Sequence, residues 1–387
     1  MLLLAYRNHT RLAGIFMAHV LIAMVAVSAL ADIPANDAPR SVHLYILPII
    51  TAIFFLFSHE GIYLRVILPV IAAVIFLAFS TELPFLRQLD FIGSSAFTDP
   101  GVWINNITAL SLTAVVVLLM RADFNARGTL ESEMRRAIAR GEFELHYQPQ
   151  ADRFGQVLGF EALLRWRHSS RGNISPSEFI PLAEETGLII PIGDWVLRMA
   201  CAQLLQWSRA PETADLTLAV NVSAVQFRQP DFVEQVKSIV RLSGARPEGL
   251  KLELTESALA EDLDVVLVRM QALRDFGIHW SLDDFGTGYS SLSSLKRFPF
   301  DQIKIDQSFI RDLLSDSRNM AIVDTIISLA RSLDLAIIAE GVETEAQLDA
   351  LDAAGCPHYQ GYLFGKPMPA AELGEIISSR AQVAVRA

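Results

Sequence analysis

Cysteine is scarce in this sequence: Cys201 and Cys356 are the only two among 387 residues, far apart and in no metal-ligand spacing. They fit a reduced, cytosolic domain in which each packs as a small apolar side chain. A surplus of positive charge is also missing. Thirty-two Lys and Arg stand against 43 Asp and Glu, a net charge of −11, which argues against a nucleic-acid polymer as partner. A small anionic ligand is not excluded, but something positive must mediate its binding, and a divalent metal is the obvious candidate. Charge of either sign is thin in the first third. Residues 1–120 hold no lysine, five arginines and six acids, −1 in all, so −10 of the −11 falls on the rest. With a mean hydropathy of +0.35, the chain divides into a membrane part and an acidic soluble part.

Four apolar segments lie in the first part, approximately Leu12–Ala31, His43–Ser58, Ile62–Phe79 and Ile107–Met120. A spanning helix needs about 20 apolar residues. The first and third segments qualify directly. The second and fourth must borrow flanking residues such as Val42, Trp103 or Ile104, and buried soluble helices are their alternative. Arg7 and Arg11 precede the first segment, and Arg121 and Arg127 follow the fourth, which puts both ends in the cytoplasm. Ala29-Leu30-Ala31 also resembles a signal-peptidase site. Cleavage there would leave three spans and still deliver residue 122 onward to the cytoplasm. No carboxylate or lysine lies deep in a span, Arg65 can snorkel, and the lone His19 can bond a neighbouring helix. The expectation is an all-α bundle of about four transmembrane helices over residues 1–122, an anchor or sensor rather than an ion transporter.

Beyond it, a linker and helical stretch over 123–142 repeats Leu130, Met134 and Ile138 at helical spacing and stops at Gly141. Short apolar strands then alternate with amphipathic helices. Candidate strands are Phe143–Gln148, Val157–Arg165, Leu216–Val222, Leu250–Thr255, Ile278–Asp283, Gln302–Asp306, Leu335–Glu340 and His358–Phe364. Eight strands alternating with helices over about 250 residues predict a (β/α)8 barrel. A doubly wound open sheet is the alternative, but the glycine fingerprint it would carry after its first strand is absent.

Strand side chains alternate between two faces. In Leu250–Thr255 the leucines share one face and Glu253 takes the other. In Gln302–Asp306 the isoleucines oppose Lys304. Asn221 opposes Leu218, Val220 and Val222, Asp283 opposes Ile278, Trp280 and Leu282, and Glu161 shares a side with Arg165. Each strand thus points a polar or charged group inward near its C-terminal end, and Glu340 adds another. One such acid is ordinarily a structural salt bridge. Four or more on different strands crowd like charges in a partly desolvated place, which is costly. A pair of hard cations with oxygen ligands offsets that cost, and barrel active sites lie at this rim. Asp283 and Asp284 close their strand as expected metal ligands, with Gly286-Thr287-Gly288 as a loop over the site. If Asp283 bridges two ions, the pair would lie about 3.5–4 Å apart, as in two-metal phosphoester hydrolysis.

Glu161-Ala162-Leu163, Tyr147-Gln148-Pro149, Asn221-Val222-Ser223, Glu253-Leu254-Thr255-Glu256-Ser257, Asp283-Asp284-Phe285-Gly286-Thr287-Gly288, Lys304-Ile305-Asp306, Glu340-Gly341-Val342-Glu343 and Gln360-Gly361-Tyr362 occur in one order at characteristic spacings. Over roughly residues 128–376 the chain thereby resembles the EAL domain, the cyclic di-GMP phosphodiesterases; 377–387 is left as a tail. The resemblance implies a TIM-like barrel with one reversed strand, which alternation alone does not reveal. It implies hydrolysis of cyclic di-GMP to linear pGpG with two Mg2+ or Mn2+ ions. Glu161, Asn221, Glu253 and Asp283 resemble the ligands of one metal, and Asp283, Asp284 and Glu340 those of the second. Lys304 resembles the residue that contacts the attacking water, with Glu161 and Glu340 also in catalytic positions. Gln148, Arg165 and Gln360 resemble substrate contacts. Glu256 resembles the residue that anchors the loop Phe285–Ser291, which serves in dimer coupling. A multi-pass protein of the bacterial inner membrane, dimeric through a cytoplasmic EAL domain, is the implied whole.

Non-catalytic members of this family bind the nucleotide without cleaving it, so a receptor that signals to a partner is the alternative function. None of the positions above is missing here. Gly365-Lys366-Pro367 departs from the Ser-Arg common at that point, although Lys366 keeps the charge. The span from 122 to 143 is too short for a partner cyclase domain.

Overall fold

The computed structural model describes residues 10–31, 41–57, 61–81, 99–259, 263–286, 295–374 and 376–377. They fall into two compact units, Met1–Thr129 and Leu130–Ala387.

The first unit is helical. Its helices are Thr10–Ala31, Ile46–Leu56, Leu68–Ser80 and the leading part of Asp99–Arg140. Ile22, Val25, Ile46, Ile53, Leu68 and Ala72 form its small core. His19 donates or accepts at Nε2 with the Tyr63 hydroxyl, 2.9 Å away, so the lone histidine bonds a neighbouring helix as its position suggested. Two stretches, Tyr63–Ser80 and Trp103–Arg121, are long and apolar enough to cross a membrane. Gly14–Leu30 and Val42–Leu56 are apolar but shorter. Arg7, His59, Glu60 and the tail after Ile377 lie outside the described residues.

The second unit is built on a ten-stranded sheet closed on itself. Its strands are β1 (Phe143–Ala151), β2 (Val157–His168), β3 (Gly172–Ile174), β4 (Thr217–Asn221), β5 (Leu250–Thr255), β6 (His279–Phe285), β7 (Gln302–Ile305), β8 (Ala336–Ala339), β9 (His358–Gln360) and β10 (Met368–Pro369). The order β1-β9-β8-β7-β6-β5-β4-β2 returns to β1, giving an eight-stranded barrel with β3 and β10 attached to β2 and β1. From β2 through β9 the barrel neighbours are parallel. β1 is antiparallel to both its neighbours. The cause is local: only Asp152–Gln156 separates β1 from β2, too few residues for the crossover that a parallel pair requires. Asp152 Oδ1 accepts from the backbone N–H of Phe154 and of Gln156, and Gly155 takes φ +76°, so the chain reverses in a tight turn.

Helices cover the barrel's outer face. Pro176–Glu185, Ile189–Trp207, Phe232–Ser243, Leu263–Arg274, Ser317–Ser332 and Glu345–Ala354 lie in the connections between successive strands. Asp316 caps the fifth of these, and the sixth has a full capping box from Thr344 and Gln347. Leu250, Leu252, Leu254, Trp280, Leu282, Ile303 and Ile305 are buried against these helices. At about 1.5–3 kcal/mol per buried large apolar side chain, these outward faces hold the helices on. Cys201 and Cys356 are both buried, as packing residues. The inward faces are therefore free to be polar.

Candidate active site

Glu161 on β2, Glu253 on β5, Asp283 on β6 and Glu340, one residue past β8, converge on Lys304 of β7. The Lys304 ammonium is 2.6 Å from Glu340 Oε1, 2.7 Å from Glu253 Oε2, 3.1 Å from Asp283 Oδ1 and 3.4 Å from Glu161 Oε2. It is only 1% exposed. Burial alone would depress this ammonium, but Asp283, Glu161, Glu253 and Glu340 outweigh it and hold Lys304 well above the usual lysine range.

The acids divide by what each receives. Burial pushes Glu161 upward, but Lys304 and hydrogen bonds from Gln360 and Asn221, each 2.6 Å long, bring it below the ordinary value. Burial drives Glu253 well above it despite Lys304, with Glu161, Asp283 and Glu340 adding to the rise. Glu340 is pushed up to about 8, by burial first and then by Asp283 and Glu161. Asp284 rises to about 6 through burial, Asp283 and Asp306.

Asp284 reaches the site through a break in alternation. Successive strand residues point to opposite faces, so Asp283 and Asp284 would ordinarily diverge. Asp284 instead takes φ +55°, the left-handed region, and the β6–β7 register shifts between Leu282 and Phe285. One oxygen each of Asp283, Asp284 and Glu340 then lie within 4.8 Å of one another. Just beyond, the Gly286 N–H donates to Glu256 Oε1 at 3.1 Å, which places Glu256 at the root of the following loop rather than in the acid ring. Thr287 to Ser291 of that loop lie outside the described residues.

This donor set fits a divalent cation. Glu161, Glu253, Asp283 and Glu340 share one ammonium, Asp284 stands beside Asp283 and Glu340, and Glu253 Oε1 is buried with no hydrogen-bond partner among the described residues. A buried carboxylate oxygen without a donor is costly, and oxygen-only ligands are the chemistry of Mg2+ and Mn2+.

A cleft of about 300 Å3 opens over the ring, lined by Gln148, Glu161, Arg165, Lys304, Glu340 and Gln360 among others. All three residues expected to contact substrate are in that wall. Beside it lies a cavity of about 570 Å3 that shares Arg165 and is otherwise mostly apolar, with Ile180, Ile189, Ile192 and Val196. Tyr362 also lines the cleft and carries the Lys366 ammonium 5.2 Å from its ring centre. The sequence had marked Lys366 only as a departure from a motif. Gln150 was missed altogether, although it shares the inward face of β1 with Gln148.

The fold is an eight-stranded barrel with one reversed strand, and its mouth is a ring of acids whose oxygens could hold a divalent cation. Residues 131–367 match the EAL domain family, and the chain belongs to it. MucR of Pseudomonas aeruginosa, a bifunctional diguanylate cyclase/cyclic di-GMP phosphodiesterase, is 46% identical over 255 residues, 66% of this chain and 37% of MucR. NbdA of the same organism, a cyclic di-GMP phosphodiesterase, is 42% identical over 263 residues, 67% of this chain and 33% of NbdA. The chain spans about a third of the length of these curated relatives. The solved MucR phosphodiesterase in complex with c-di-GMP is 47% identical with a TM-score of 0.62, covering 63% of this chain and 99% of that one. The EAL enzyme Bd1971, bound to cAMP and cyclic di-GMP, is 30% identical with a TM-score of 0.62, covering 74% and 77%.

Proposed function

We propose that this chain is a membrane-anchored phosphodiesterase that hydrolyses cyclic di-GMP to linear pGpG. The observation that carries the reading is the ring of four carboxylates around Lys304, with Asp284 beside it, in a family where the MucR phosphodiesterase was solved with this nucleotide. Glu161, Asn221, Glu253 and Asp283 would hold one Mg2+ or Mn2+, and Asp283, Asp284 and Glu340 a second. Bound there, the ions supply Lewis acidity and positive charge to the scissile phosphate.

The chain's own groups have distinct work. Arg165, with Gln148 beside it, holds a phosphate of the nucleotide in the cleft, Gln360 lines the same wall against the substrate, and the neighbouring apolar cavity takes a guanine base. Lys304 stays charged, so it orients the attacking water by donating a hydrogen bond and does not act as base. Glu340, 2.6 Å from the Lys304 ammonium, stands beside that water as the general base. It accepts the proton as water adds to phosphorus and the bond to the ribose 3′ oxygen breaks, and the released oxygen takes up a proton to leave as the 3′ hydroxyl. Glu256 steadies the loop from Phe285 through its bond to Gly286, and this loop couples two copies of the domain in a homodimer. Residues 1–122 fix the domain to the cytoplasmic face of the inner membrane, and the Tyr63–Ser80 and Trp103–Arg121 stretches support that placement.

The full-length chain, incubated with cyclic di-GMP and Mg2+ or Mn2+, is expected to release pGpG. Binding without turnover under both metals would convert the reading to a receptor. Glu161→Ala should lower turnover at least about a hundredfold, since even groups behind the metal ligands are worth about 10–100-fold. Its melting temperature should stay near wild type, and a near wild-type rate would refute the metal assignment. Sedimentation at micromolar concentration checks the dimer, against which a monomer would count.

A further inference from the structure

Glu161 depends on a hydrogen-bond chain that begins on the reversed strand. β1 lies between β2 and β9, pairing Gln148 with Glu161 on one side and Gln150 with Gln360 on the other. All four side chains are buried: Gln150 and Gln360 are 4% exposed, Glu161 5% and Gln148 9%. Gln150 Nε2 donates to Gln360 Oε1 at 3.0 Å. Gln360 Nε2 then donates to Glu161 Oε2 at 2.6 Å and to Gln148 Oε1 at 3.1 Å. Gln148 Nε2 in turn faces the Gly365 carbonyl at 3.4 Å.

The two ends of a glutamine amide differ chemically, one accepting and the other donating. An ionised Glu161 only accepts, so the Gln360 NH2 group must face it. That choice turns the Gln360 carbonyl toward β1, where it requires a donor. Gln150 supplies that donor from the cross-strand position. Both hydrogens of the Gln360 NH2 are thereby used and its oxygen is satisfied, so one of the two amide orientations is selected. With an acceptor or an apolar group at position 150, the buried carbonyl would lose its partner. The competing orientation would then set Gln360 Oε1 against the Glu161 carboxylate.

We propose that Gln150 is a positioning residue for cation binding: through Gln360 it fixes the direction in which Glu161 presents its carboxylate to the acidic mouth. The inference rests on the reading of Glu161 as a metal ligand. It distinguishes Gln150 from the cleft-lining Gln148, because Gln150 acts only through another side chain. Residues of this kind hold a site's ligands in their productive directions.

The test is calorimetric titration of Mn2+ into the full-length chain without nucleotide, together with its melting temperature in EDTA. Gln150→Met keeps the volume and removes the donor, and it should weaken Mn2+ binding about 10-fold, within the range for groups behind a metal ligand. Gln150→Glu keeps the shape and replaces the donor with an acceptor, and it should weaken binding at least as much. It also serves as the second variant if Gln150→Met does not fold. The pair Gln150→Met with Gln360→Met should bind Mn2+ no more weakly than Gln360→Met alone. Wild-type affinity in both folded Gln150 variants, or additive losses in the pair, would overturn the inference. Failure of the wild-type chain itself to bind Mn2+ would overturn the metal reading on which it stands.

Discussion

Lys304 shows how much one buried side chain can be asked to do. Breaking a buried ion pair costs about 3–5 kcal/mol, because the partner charge is left uncompensated. Lys304 has four such partners within 3.4 Å. Lys304→Met should therefore destabilise the metal-free chain by about 3 kcal/mol or more, read from urea denaturation in EDTA. A loss under about 1 kcal/mol would place it in the range of surface pairs and show that the acids neutralise one another by protonation. Single residues were well marked in the sequence wherever the strand was regular. The two-residue period put Glu161, Asn221, Glu253, Asp283 and Lys304 on inward faces, and all five are there. The period could not place Asp284, because a left-handed φ and a shifted register are not visible in a pattern of apolar and polar letters. Its place beside Asp283 at the strand end and the family resemblance named that residue; the shifted register accounts for its direction.

At the scale of elements, the segment after β8 and the turn after β9 bring Glu340 and Gln360 to the same wall. They are tied by backbone bonds from Val342 N–H to the Gln360 carbonyl and from Leu363 N–H to the Val342 carbonyl, both 3.1 Å. A Cβ at Gly361 would collide with the backbone of Val342, so only glycine permits this approach. Gly361→Ala should cost about 1–3 kcal/mol, the range for overpacking a tight site, and should lower turnover more than a substitution on the outer helices. A variant of unchanged melting temperature would mean that the two segments can separate without penalty. The eight barrel strands were legible because each carries an apolar face or run. Their ends were less so: the run from His358 stops as a strand at Gln360, since Phe364 and Gly365 both bond back to Gly361 in a turn. β3 and β10, at three and two residues, are too short to carry a period. The reversal of β1 follows from the short Asp152–Gln156 connection, a signal of length rather than of alternation.

For the molecule as a whole, the crowded acids make stability depend on pH. Glu340 and Asp284 are raised in the folded chain, to about 8 and about 6 from ordinary values of 4.5 and 3.8. Between those limits the folded state keeps protons that the unfolded chain releases, so stability falls as pH rises. The stabilising contribution is complete below the ordinary values and is lost as pH passes through about 6 and then about 8. In EDTA the melting temperature should therefore decline from pH 5 to pH 8.5, and saturating Mn2+ should remove the decline by supplying the positive charge instead. A flat profile in EDTA would show that the acids are not strained by one another. The division into an apolar first part and an acidic second part was plain from composition, whereas the number of helices able to cross a bilayer was not, since a buried soluble helix and a short span share the same letters.

The central ammonium has a consequence for the life of the chain before it meets its substrate. Because a covalently attached positive group already stands among the acids, a newly made polypeptide can close its barrel without waiting for magnesium or manganese. Under the proposed two-metal reading, assembly and activation are then separate events, and the supply of free divalent ions would govern the second without endangering the first.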